Sequence, residues 1–255
     1  MNTDREYDFH DLKACFINCS LKKDRSRSHT QLLIDKAARI MQNHGVTVEQ
    51  VYALDHEIAT GMIKDGKDEG ESDDWPQIQR TILSADILVI ATPIWLGVKS
   101  SVATKVIERM YAYSSDRNAK GQYLYYGKTG GCIVTGNEDG IKHCAMDLLY
   151  ALQHIGYTIP PQADCGWIGE AGPGPSYGDT EWNGKPINDG NIPLGFDNDF
   201  TNRNATFMSW NLMHTARLLK DRGGIPAHGN TAEGWEHVTN AKSDNPEYGQ
   251  GQLTR

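Results

Sequence analysis

Three short stretches carry residues whose types and spacing can grip a small molecule with a charged end and a flat end. The first, NCSLKKDRSRSHTQLL at 18–33, places Ser20, Ser26 and Ser28 ahead of a helix start and Thr30 in its first turn. Ser28 with Gln31 three residues on reads as a capping box. Unpaired N–H groups at a helix start, joined by hydroxyls, can hold a phosphate. Lys22, Lys23, Arg25 and Arg27 add positive charge, with His29 beside the cap. The same residues also suit a capped helix behind a solvated basic loop, and the stretch is neither G-x-G-x-x-G nor a Walker loop. The second stretch, ATPIWLGVKSSVATKVIERM at 91–110, sets an apolar turn between Pro93 and Gly97, ahead of a helix starting near Ser100. A flat aromatic ring could lie against Ile94 and Trp95, its polar edge facing backbone N–H groups around Leu96–Gly97; equally, Trp95 could simply cover the core. The third, VTGNEDGIKHCAMDLL at 134–149, carries Thr135, Gly136, Asn137 and Gly140. Two glycines permit tight turning and an asparagine both donates and accepts, although an ordinary strand-to-helix turn asks for the same residues.

Each stretch leaves an apolar run: KACFINCS (13–20), ADILVIATP (85–93) and TGGCIVTG (129–136). Such runs read as strands buried on both faces. VTVEQVYAL (46–54) alternates more and suits a strand nearer an edge, and a short fifth strand fits near Tyr157–Ile168. Helical stripes lie between them: Leu33, Ala37, Ile40 and Met41, stopped by Gly45; Val102, Val106 and Met110; Leu148, Leu149, Leu152 and Ile155, stopped by Gly156. A last helix is expected from about Asn204 to Asp221, with Met208, Leu212, Ala216 and Leu219 on one face. Strands alternating with helices predict an α/β fold, a parallel sheet covered on both sides. Ligands bind such sheets beyond the carboxyl ends of the strands, where the three stretches fall.

Three segments break the rhythm: 55–75, with GMIKDGKDEGESDDW; 169–199, rich in Gly, Pro and Asn; and 222–255, a polar tail. All three read as surface loop or disorder. The 169–199 segment differs in its aromatics: Trp167 at its entry, then Tyr177, Trp182 and Phe196. That density suggests ordered packing, either on the site or on a second copy. There is no internal repeat and no separate second domain, so the expected layout is one domain over 12–221 and a tail over 222–255.

The 255-residue chain carries a formal net charge of −8, which argues against a nucleic-acid partner. Its five cysteines, at 15, 19, 132, 144 and 165, form no C-x-x-C pair, so a disulfide framework or a metal site is not expected. The N-terminus has no apolar h-region, and no apolar run approaches the roughly 20 residues that span a bilayer. No membrane is expected, and a reducing cytoplasm fits best. No catalytic triad is apparent: His10, His29, His143 and His154 are scattered and read as surface or packing residues.

In order and spacing the three loops resemble those of the flavodoxin-like NADPH-dependent FMN reductases and the related NAD(P)H:quinone oxidoreductases. NCSLKK…SHT resembles their phosphate loop, TPIWLG their isoalloxazine loop and TGNEDG their third flavin loop, over about Lys13 to Ile168. The resemblance implies a flavodoxin-like, doubly wound, five-stranded parallel sheet of order 2-1-3-4-5, with FMN at its edge. It implies that Ser20, Ser28 and Thr30 hold the phosphate, with Lys22 and His29 also among the cofactor-binding residues. Pro93, Ile94, Trp95, Leu96 and Gly97 would line the ring, and Thr135, Gly136, Asn137 and Gly140 would close the other side. His29 stands where relatives often carry Asn.

The expected activity is reduction of a small electron acceptor (a quinone, a flavin or another molecule) with hydride drawn from NADPH or NADH through FMN. The flavin carries that chemistry, so no protein nucleophile or metal is required. A flavodoxin-type electron carrier is the alternative, set against by the basic first loop and the long C-terminal extension. A flavin-free interaction protein is a third. Assembly as a homodimer or homotetramer is expected, with 169–199 roofing the flavin and shaping the acceptor pocket.

Overall fold

A computed structural model describes residues 7–234 apart from Glu138 and Ala232, so most of the expected tail lies outside the described residues. Five strands form a parallel sheet: β1 (Lys13–Asn18), β2 (Thr47–Tyr52), β3 (Ile87–Trp95), β5 (Thr129–Gly136) and β6 (Asp164–Ile168). Their order is β2-β1-β3-β5-β6. The two-residue β4 (Val98–Lys99) folds back antiparallel on the end of β3. Among the parallel strands this is the order 2-1-3-4-5, the flavodoxin-like winding. β2 is an edge strand and exposes most of its first four residues, as its alternating sequence predicts.

Side chains alternate across a strand, so each buried strand feeds two cores. Cys15, Ile17, Leu88, Ile90, Cys132 and Val134 face α2 (Trp75–Ser84), α3 (Ser101–Tyr111) and α4 (Ile141–Ile155). Phe16, Ile87, Val89, Ala91 and Ile133 face α1 (His29–Asn43) and α5 (Asp199–Asp221). All five cysteines are buried thiols. Burial pushes that of Cys15 up to about 12 and raises the rest, so none is a ready thiolate.

Side-chain caps fix where α1, α3 and α5 begin. Ser28 accepts from the Gln31 N–H to open α1, and Ser100 does the same for α3 through Ala103. Asn198 accepts from the Thr201 N–H, so α5 starts five residues earlier than the apolar stripe alone suggests. Its first turns bury Thr201 and Ala205, small residues that hide the period.

The 55–75 segment, expected to be surface loop or disorder, is ordered, and 169–199 packs as its aromatics suggest. Within 55–75 the chain wraps a buried guanidinium. Arg109 of α3 donates to the carbonyls of Ala59, Ile63 and Lys64 and to both oxygens of Asp73, at 2.6–3.2 Å. The helix that follows, α2, has no counterpart among the stripes read from the sequence; it buries Trp75, Ile78 and Ile82. The 169–199 segment includes a small hairpin, β7 (Glu181–Trp182) and β8 (Lys185–Pro186), turned by Asn183 and Gly184 at φ 51° and 72°.

Candidate functional site

The loops after β1, β3 and β5 meet at the carboxyl edge of the sheet and enclose a cavity of about 510 Å³. One end is polar. Asn18, the last residue of β1, accepts from the Ser20 N–H at 2.9 Å and donates to Gln31 Oε1 at 2.9 Å, which fixes the loop against the start of α1. Ser20, Lys22, His29 and Thr30 line this end. The cap engages the Gln31 N–H, and earlier N–H groups of a helix start are left to a ligand or to water. Lys22 Nζ donates to the Arg27 carbonyl at 2.7 Å, and burial lowers the Lys22 pKa against the pull of Asp179.

The other end is apolar and aromatic. The β3–β4 hairpin turns through Leu96 and Gly97 at φ 51° and 76°, two consecutive left-handed residues as in a type I′ turn. It presents Ile94, Trp95 and Leu96 to the cavity. Gly136 closes the far side. A Cβ there would fall 2.8 Å from Ile94 Cβ, so only glycine lets the end of β5 approach the hairpin this closely.

Residues 172–182 form the roof, where Gly172, Pro173, Gly174, Ser176, Tyr177, Asp179 and Trp182 line the cavity with Trp167 of β6. Tyr177 is its buried peg, with ring centroids 5.8 Å from Trp167 and 5.2 Å from Phe196. Two clasps hold the roof down. Asn137 Nδ2 donates to the Pro175 carbonyl at 2.8 Å, and its Oδ1 accepts from Ser176 Oγ at 2.6 Å. His29 Nδ1 lies 2.9 Å from the Tyr177 carbonyl and 3.6 Å from Asp179 Oδ1.

Of the residues expected at the site, Ser28, Gly97 and Gly140 stand outside the cavity wall. Ser28 is buried and spent on capping. Gly97 and Gly140 pack backbone against backbone, since a Cβ on Gly140 would lie 2.7 Å from the Gly97 carbonyl oxygen. Thr30 and Thr135 line the wall with their hydroxyls bonded to each other at 2.7 Å. Arg25 pairs with Asp55 and stacks on Tyr52, 5.0 Å from its centroid. Asp179 and Ser176 carry no motif in the sequence; only the fold of the roof brings them to the site.

The cavity suits FMN. Its size is typical of small-molecule sites, roughly 300–1,000 Å³. A helix start, an ammonium and hydroxyls gather at one end, where a phosphate can be held. At the other, the Gly136 cradle and the indole of Trp95 leave a slot for a planar ring.

Comparison with known proteins agrees with this geometry. The model of the family described as NADPH-dependent FMN reductase matches residues 12–167. An 8-demethyl-8-aminoriboflavin-5′-phosphate synthase of Streptomyces davaonensis is 36% identical over 217 residues, covering 82% of this chain and 79% of that protein. A crystal structure of RosB with bound 8-demethyl-8-formylriboflavin-5′-phosphate superposes with a TM-score of 0.77 at 33% identity, covering 92% of this chain and 88% of that one. A Mycobacterium bovis protein called divalent metal cation transporter MntH is 55% identical over 213 residues, 83% of this chain. The chain spans only 30% of that relative's length, so the transporter name describes a much longer protein. Among the described residues, no helix is long and apolar enough to cross a membrane.

Proposed function

The chain belongs to the NADPH-dependent FMN reductase family, and on that premise we propose that it holds FMN in this cavity, draws hydride from NADPH or NADH, and reduces a quinone, a flavin or another small acceptor. The observation that carries the reading is the two-ended cavity: Lys22 and the start of α1 at one end, Ile94–Trp95–Leu96 against Gly136 at the other. Flavin-dependent oxidoreduction is what the family supports; the donor, the acceptor and the individual contacts are this proposal.

Bound FMN supplies the hydride and electron chemistry. The chain does the rest. Ser20, Lys22 and the first N–H groups of α1 hold the phosphate. Pro93, Ile94, Trp95 and Leu96 set the plane of the ring, and Gly136 admits its edge. Thr30, Thr135, His29 and Asn137 hold loops and roof together around it. The roof keeps water from the ring, which strengthens each polar contact inside. The protein works as a homodimer or homotetramer in the cytoplasm. The test is the absorbance of the purified protein followed by NADPH and NADH oxidation over a panel of acceptors. A yellow protein that turns over with an acceptor supports the enzyme, and one reduced only by a partner flavoprotein supports the electron carrier.

A second reading is favoured by the two flavin-processing relatives: FMN is itself the substrate and is altered at its benzenoid edge. Mass spectrometry of the flavin recovered after turnover separates the two, because a reductase returns FMN unchanged.

A further inference from the structure

We propose that His29 and Asp179 make the roof respond to the phosphoryl group of the ligand, so that a phosphorylated flavin is bound under a closed roof and its unphosphorylated counterpart is not. The proposal rests on the reading that the phosphate lies at the start of α1.

His29 is the first residue of α1, at the polar end of the cavity, and its imidazole is also a clasp of the roof. Nδ1 faces two acceptors, the Tyr177 carbonyl at 2.9 Å and the Asp179 carboxylate at 3.6 Å. A ring nitrogen held between a carbonyl and a carboxylate carries the proton. Nε2 is left as the position where the ring gains or loses charge. Asp179 is itself fixed, accepting from the Ser176 N–H at 2.7 Å, and its own N–H donates to the Ser176 carbonyl at 3.0 Å. Its backbone carbonyl accepts from the Leu194 N–H at 2.9 Å, which ties the clasp to the later limb of the segment. Whatever happens at His29 is therefore transmitted to the backbone of the roof.

The charged groups facing the imidazole are Lys22, from the loop ahead of α1, and Asp179, from the roof. Burial and the Lys22 ammonium hold the ring below its ordinary pKa, against Asp179 and the Tyr177 carbonyl, which pull the other way. Without a ligand the ring is neutral at pH 7, and its bonds to the roof are those of a neutral donor. A phosphate dianion placed at the start of α1 adds negative charge beside the ring and favours the imidazolium. The proton comes from solvent. The charged ring then pairs with Asp179 and bonds the Tyr177 carbonyl more strongly, because charge-assisted hydrogen bonds are the stronger kind. The roof closes on phosphate, not on the ring system, and Asp179 gives the site its selectivity for the phosphorylated form. The linkage has a definite sign. Binding takes up a proton, so FMN affinity falls as pH rises through the pKa of the bound state, whereas riboflavin affinity does not change.

The experiment uses the full chain freed of flavin, with FMN, riboflavin and inorganic phosphate as probes. Dissociation constants are measured between pH 7 and 9, and amide exchange is followed over residues 172–195. The expected result is exchange in the roof slowed at least tenfold by FMN but not by riboflavin. In addition, a riboflavin-to-FMN ratio of dissociation constants should shrink with rising pH in the wild type. In His29→Gln, which keeps a neutral side-chain donor, that ratio is flat with pH and at least tenfold smaller. Asp179→Asn, which keeps the Ser176 bond, loses the pH dependence as well. If riboflavin protects the roof as well as FMN does, or if either variant keeps the wild-type pH profile, the inference is overturned. If the wild type binds no FMN at all, the reading of the cavity fails with it, an outcome distinct from both.

Discussion

Thr30 Oγ1 and Thr135 Oγ1 lie 2.7 Å apart and buried, so one hydrogen bond joins the first turn of α1 to the end of β5. It spans the two sides of the cavity, and the sequence separation of 105 residues makes it a contact that only the folded sheet creates. Thr135→Val keeps the shape and leaves the Thr30 hydroxyl one partner short. We expect a loss of about 1–2 kcal/mol in urea unfolding, since a buried hydroxyl without its partner costs its desolvation. FMN affinity should fall several-fold as the loops loosen. An unchanged midpoint would show that the bond is not formed in solution.

Asp73, in the 55–75 segment, and Arg109 of α3 form a buried ion pair, the side chains of both fully buried. Burial alone would raise the Asp73 carboxyl. The Arg109 guanidinium, with the N–H groups of Gly66, Ala59 and Trp75, instead holds it at about 2. A depressed carboxyl contributes stability that is fully present above its unfolded pKa of about 3.9 and is lost as pH falls toward 2. The loss expected across that window is about 2 kcal/mol. Asp73→Asn should cost more at pH 7, about 3–5 kcal/mol, by leaving the guanidinium buried without its counter-charge. It should also flatten the acid limb of the stability curve. A variant as stable as the wild type in guanidinium titrations would refute the account.

The parallel sheet was legible because strands buried on both faces leave continuous apolar runs, as in Ile87–Ala91, and because the glycines at 45 and 156 mark helix ends. The three loops were legible from their place after those runs. What escaped was set by single long-range contacts. Arg109 reads as one more charge on α3, and only burial against Asp73 reveals that a polar segment folds around it. The short helix α2 holds few apolar positions, Ile78 and Ile82 among them, and follows a charged loop. The roof was visible in its aromatics and in Asn183–Gly184, a hairpin dipeptide that was not read as one. Its polar partners were not visible: Asn137 and His29 carry the signature of ligand contacts, yet each also bonds the backbone of the roof.

Gly140 and Gly97 give a prediction with two unequal halves. Gly140 has φ 133° and no room for a Cβ, with Gly97 Cα only 2.9 Å away. Gly97 has φ 76° and its nearest neighbour to a Cβ is the Asp139 carbonyl at 3.8 Å. Gly97→Ala should therefore cost only backbone strain, about 1 kcal/mol. Gly140→Ala should cost clearly more and displace the β3–β4 hairpin, with FMN affinity reduced at least tenfold. Thermal denaturation and flavin titration of the two variants decide it, and equal losses would remove the backbone contact from the argument.

Leu96 supports a prediction in which stability and assembly move in opposite directions. It is a non-glycine residue at φ 51° and is 92% exposed. Left-handed backbone is unfavourable for leucine and tolerated by asparagine. Among the described residues, neither burial nor turn chemistry accounts for a leucine here. Trp95 and Val98 on the hairpin are half-exposed, as are Met146 and Tyr150 on α4. The hairpin is tied to that helix by the Lys99–Asp147 pair and by Gly97 against Gly140. If the protein assembles as the proposed homo-oligomer, these exposed apolar groups are where a second copy would pack. Leu96→Asn should relieve the strain and raise the denaturation midpoint of the isolated protomer by the equivalent of about 0.5–1 kcal/mol. It should also shift light-scattering masses toward the monomer and, because Leu96 lines the cavity, weaken FMN binding. A variant that gains stability and keeps both mass and affinity would show that the leucine serves neither contact. One that loses stability would show that the left-handed turn does not persist in solution.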